Sequence, residues 1–121
     1  PYRCHFCPFV AYIQKDSLLE PYHQKLQKEI EIYAQNLPEK LDLQTIYFGG
    51  GTPSTYPDEL LLDTFGTLRK MSNFDKNTEI TMEVNPGTVT REKLELWHNL
   101  GINRLSIGVQ SLNERALKEV N

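Results

Sequence analysis

The chain has 121 residues and a formal net charge of −3, with 13 basic and 16 acidic residues mixed along its length. That balance offers no electrostatic footprint for nucleic acid or for an anionic membrane surface. No apolar run approaches the roughly twenty residues that cross a bilayer, and nothing resembles a signal peptide, so no membrane-spanning segment is expected and a cytoplasmic location is.

The chain opens inside a motif, Pro1-Tyr2-Arg3-Cys4-His5-Phe6-Cys7. Cys4 and Cys7 are its two cysteines, too few for a disulfide framework and suited to a reducing compartment. On its own the pair fits part of an iron-sulfur site, half a zinc site or a redox centre. No second cysteine pair follows to complete zinc ligation, and Pro8 directly after Cys7 is unlike the strand-to-helix setting of a redox pair. As the last seven residues of C-x-x-x-C-x-x-C, the segment implies a further cysteine just upstream of Pro1. Three thiolates at that spacing hold three irons of a four-iron cluster and leave the fourth open.

Leu18, Tyr22, Leu26, Ile30, Tyr33 and Leu37 then recur every three or four residues, one stripe of an amphipathic helix that starts near Glu20, with Pro21 in its first turn, and ends at Pro38. Thr45-Ile46-Tyr47-Phe48 reads as a short strand halted by Gly49-Gly50-Gly51. Pro57-Asp58-Glu59 opens a second helix through Leu61, Phe65 and Leu68, closed by Arg69-Lys70 in keeping with the helix dipole. Glu79 to Val84 alternates as a strand; Thr90 caps a third helix through Leu94, Trp97 and Leu100 to Gly101; Arg104 to Gln110 alternates again; a fourth helix starts at Asn113.

This order is that of β/α units around a parallel sheet. Ile80, Met82 and Val84, with Leu105, Ile107 and Val109, are expected to face covering helices, and Thr81, Glu83, Ser106, Gly108 and Gln110 the opposite face. Glu83 and Gln110 would then stand at strand C-terminal ends, where such folds bind ligands, beside the glycine triplet and the cysteine loop. Taken singly, Glu83 and Gln110 read more readily as solvated strand-end side chains, and the triplet reads equally as an ordinary turn. Three successive glycines also let a ligand lie against bare backbone. The loop is neither a Walker lysine loop nor G-x-G-x-x-G, so a phosphate cradle has little support.

With Gly49-Gly50-Gly51-Thr52-Pro53-Ser54, Glu83-Val84-Asn85-Pro86-Gly87 and Gly101 to Ser111 in order behind the cysteine loop, the chain resembles the oxygen-independent coproporphyrinogen III oxidase family of radical S-adenosylmethionine (SAM) proteins, essentially from Pro1 to Asn121. The resemblance implies an α/β fold, a partial (β/α)6 barrel of which residues 1–121 form roughly the first half as one fragment truncated at both ends. It implies that Cys4, Cys7 and the upstream cysteine ligate a 4Fe-4S cluster whose open iron takes the amino and carboxylate groups of SAM. Phe6 would pack near the adenine, Gly50, Gly51 and Thr52 would line the methionine end, and Glu83 and Gln110 would complete the pocket. An electron from a donor would cleave SAM to a 5′-deoxyadenosyl radical. The porphyrinogen-oxidising branch carries another cysteine two residues after the third, where this chain has Phe9. That departure resembles the heme-chaperone branch, which implies heme as cargo and a heme-acceptor protein as partner; the oxidase, acting on a porphyrinogen, is the alternative, and enzymatic turnover is left open. A tRNA-modifying radical SAM enzyme would call for basic surface absent here. His5, His23 and His98 read as surface or packing residues rather than heme ligands.

Overall fold

In the computed structural model, residues 4–10 and 16–119 are described. A single 3-10 turn, Asp16–Leu18, leads into α1, Leu19–Gln35. The helix stops at the Asn36 cap because Pro38 disfavours helical backbone at Leu37. Its buried face is not the expected stripe. Leu18, Tyr22, Tyr33 and Leu37 are exposed, whereas His23 is buried and Leu26, Gln27, Ile30 and Ala34 are half-buried. The correction has a polar cause. The ring of His23 meets the Tyr56 hydroxyl at Nδ1 (2.6 Å) and the Asp63 carboxylate at Nε2 (2.9 Å), while the Gln27 amide donates to Thr64 (3.1 Å). These partners lie on and just before α2, and they turn α1 toward a hydrogen-bonded seam rather than its tyrosines.

The main sheet has three parallel strands in the order β2–β4–β5, with β2 at Thr45–Phe48, β4 at Glu79–Val84 and β5 at Arg104–Ile107. Helix α2, Asp58–Met71, lies between β2 and β4 in the chain, and α3, Arg91–Leu100, between β4 and β5; α4 is Glu114–Glu119. The period-2 alternation decides the two faces. Ile80, Met82 and Val84 are buried with Leu61 and Phe65 of α2, Trp97 of α3 and Ile102, and Ile46 and Phe48 pack against this core. Met82 is 0% exposed, so Met82→Ala should cost about 2–5 kcal/mol in unfolding free energy, read by denaturant titration.

A second, two-stranded parallel ladder pairs β1, Leu41–Asp42, with β3, Ser72–Asn73. Two-residue strands are too short to show a hydrophobic period, so the sequence gives no sign of them. The last strand also ends earlier than its alternation suggests. Ladder pairing stops at Val84↔Ile107, after which Val109 N–H bonds to Ile107 O (3.0 Å) and Ser111 N–H to Val109 O (2.7 Å). Gln110, at φ 61°, is therefore a turn residue beyond the strand. Leu105 and Ile107 point to the helical side as expected but stay 39% and 52% exposed, because β5 is an edge strand among the described residues.

Candidate functional site

The face of the sheet away from the helices is polar. In register, Tyr47 pairs with Thr81, Thr81 with Arg104, and Glu83 with Ser106, which sets these side chains in rows across the three strands. Arg104 Nη1 donates to Glu79 at 2.8 Å and holds its carboxyl below the usual carboxylate range.

At the C-terminal end of this face the chain leaves β2 through Gly49-Gly50-Gly51. Gly50 and Gly51 have φ of 83° and 59°, the left-handed region in which a Cβ is strained. Gly49 has a different constraint: a Cβ there would lie 2.6 Å from the Tyr47 ring and 3.3 Å from the Glu83 carboxyl carbon. That bare position lets Tyr47 reach Glu83. The Tyr47 hydroxyl donates to Glu83 Oε1 at 2.6 Å and the Gly50 N–H to Oε2 at 3.2 Å. Each carboxylate oxygen has one donor and keeps a lone pair for another. The hydrogen bond to Glu83, with its negative charge and some desolvation, raises the Tyr47 phenol above its ordinary value, so it remains a donor.

The glycine loop is pinned from behind. After Thr52, half-buried, a 3-10 turn at Pro53–Thr55 buries Ser54 completely. Ser54 Oγ meets Thr88 Oγ1 at 2.6 Å and accepts from Asn85 N–H at 3.2 Å, joining this loop to the one after β4. From α3, Lys93 Nζ donates to Ser54 O (2.8 Å) and Tyr56 O (3.1 Å). The two loops at the C-terminal end of the sheet are thus one hydrogen-bonded unit.

Of the residues expected to share a site, Gly50 and Glu83 are in direct contact. Gln110 is one strand away and folds back over Gly108, where a Cβ would lie 3.0 Å from its amide nitrogen. Cys4 and Cys7 are free and half-buried on a turn closed by Cys7 N–H to Cys4 O at 3.1 Å, with Phe6 exposed beside them. Soft thiol donors on a tight turn fit two corners of an iron-sulfur cluster. Among the described residues no group of three or more His, Cys, Asp or Glu is placed to hold a metal ion, and no hydrogen bond ties the cysteine turn to the glycine loop or Glu83. His5 and His98 are exposed and His23 is a buried packing residue. The sequence reading passes over Tyr47, Ser54, Thr88 and Lys93. Period 2 puts Tyr47 on the face of Gly49 and opposite Thr81 but does not reveal its contact with Glu83; the others depend on loop geometry.

A parallel α/β unit whose polar strand ends meet a left-handed glycine loop defines the class of protein: a β/α fold with a cysteine turn. The chain belongs to the radical SAM superfamily, whose family model matches residues 1–121. It is 34% identical to "Heme chaperone HemW" of Haemophilus influenzae over 98% of the chain and 32% of that protein. It is 36% identical to "Radical S-adenosyl methionine domain-containing protein 1, mitochondrial" of Danio rerio, over 96% of the chain and 26% of that protein. The solved structure of coproporphyrinogen III oxidase (HemN) from Escherichia coli, described as a radical SAM enzyme, is similar with a TM-score of 0.80 and 27% identity, over 95% of this chain and 26% of that one. The expected α/β fold of parallel strands and covering helices is therefore that of a radical SAM enzyme over this region. The chain spans about a third of the length of the HemW relative and about a quarter of HemN.

Proposed function

We propose that this chain is part of the SAM- and cluster-binding core of a cytoplasmic protein of heme metabolism, of the heme-chaperone type. The observation that carries the SAM reading is the Glu83 carboxylate, held by Tyr47 and Gly50 N–H at the strand ends with acceptor capacity to spare for an ammonium group. Cys4 and Cys7 would hold two irons of a 4Fe-4S cluster, and Phe6, Gly50, Gly51, Thr52 and Gln110 would line the SAM pocket. The cluster with SAM supplies one-electron chemistry; this chain's residues orient the ligand and hold its charge. The chaperone branch is supported by the HemW relatives and by Phe9, an exposed side chain where the oxidase branch is expected to carry a cysteine. Heme would be the cargo, delivered to an acceptor protein.

A second reading, an oxygen-independent coproporphyrinogen III oxidase that decarboxylates two propionates, is favoured by the HemN likeness and by 29% identity to such an oxidase of Bradyrhizobium diazoefficiens. Anaerobic incubation of the intact, reconstituted protein with dithionite, SAM, coproporphyrinogen III and added heme separates the two. The chaperone reading expects stoichiometric heme binding in a sample that forms no protoporphyrinogen. Protoporphyrinogen appearing together with 5′-deoxyadenosine would establish the oxidase instead.

A further inference from the structure

We propose that Tyr47 is a positioning residue that tunes this site's affinity for the amino-acid end of its ligand, acting through Glu83 rather than by touching the ligand. The inference rests on the SAM reading above and deepens it. A carboxylate at a strand end with one neighbour would rotate freely, but Glu83 has a donor on each oxygen, one from β2 before the glycine loop and one from the loop itself. Tyr47 is seated for this by three features. Strand parity puts it on the polar face, its register partner Thr81 lies two residues before Glu83, and Gly49 leaves bare the space its ring occupies. A phenol is a suitable donor, since it remains neutral and donates at neutral pH without adding a positive charge that would compete with an incoming ammonium for the carboxylate. The carboxylate plane is therefore set before ligand arrives, and less ordering is left for binding.

The test compares two ligands on the intact, cluster-loaded protein: SAM, which carries the ammonium, and methylthioadenosine, which carries the adenosine without any amino acid. Tyr47→Phe keeps the ring and removes the donor. It should weaken SAM by about tenfold, leave methylthioadenosine and iron content unchanged, and have little further effect in a Glu83→Ala background. Unchanged SAM affinity in Tyr47→Phe, an equal loss for both ligands, or a full additional loss in the Glu83→Ala background would each overturn the role of Tyr47. Wild-type protein that binds no SAM would instead overturn the SAM reading itself. Should Tyr47→Phe fold poorly, Tyr47→Leu, which also removes the donor, should produce the same selective loss.

Discussion

The Glu83 carboxylate is held at the strand end by a donor on each oxygen, and one of those donors is backbone. Gly50 can offer its N–H there only in the left-handed conformation at φ 83°, so Gly50→Ala should destabilise the fold by about 1 kcal/mol, visible as a lowered denaturant midpoint. At this scale the sequence was legible where a residue type carries its own chemistry. Cys4, Cys7, the glycine triplet and Glu83 stand out in the sequence by motif, and the structure brings Gly50 and Glu83 into contact. Tyr47 does not stand out, because a tyrosine in a β-rich run reads equally as packing, and only the 2.6 Å contact to Glu83 distinguishes it. Gln110 was expected at the end of a strand that runs to it; β5 ends at Ile107, and the Gln110 φ of 61° cannot be read from an alternation that runs on through Val109.

The helices and central strands follow rules visible in the sequence. Thr90 accepts from Lys93 N–H at 3.3 Å as the cap of α3, and Gly101 ends that helix in the left-handed conformation, φ 102°. The face of α1 did not follow, since a buried histidine and glutamine found partners on α2 that hydrophobic periodicity ignores. Lys93 shows how one element braces another. Lys93→Met should leave the Ser54 and Tyr56 carbonyls without their charged donor and cost about 2 kcal/mol, measured by chemical unfolding. A pH dependence belongs to the β4–β5 pair. Arg104 depresses Glu79 in the folded state, so this pair stabilises above the ordinary carboxylate range and the contribution fades as pH falls through the lowered value. Arg104→Gln should remove that part of the acid limb of stability; an unchanged acid limb in the variant would contradict the assignment.

For the molecule as a whole, the order of elements specified a parallel α/β arrangement, and the chain has the fold of a radical SAM enzyme at a TM-score of 0.80. Its core is small and its edges are open: Leu105, Ile107, Val109 and Leu112 are all exposed on or after the edge strand β5. Produced as an isolated polypeptide of these 121 residues, it should self-associate, with sedimentation showing species heavier than the monomer. Among the described residues no helix is long and apolar enough to cross a membrane.

The central claim is that the cysteine turn and the Glu83 junction do two separable jobs at one site, cluster ligation and SAM recognition. Iron content and SAM affinity measured side by side on Cys7→Ser and Glu83→Ala of the intact, anaerobically reconstituted protein test it most directly. The account predicts loss of the cluster in Cys7→Ser, and in Glu83→Ala full iron with SAM bound at least about tenfold more weakly. Equal iron and unchanged SAM affinity in both variants would contradict it and place the site elsewhere.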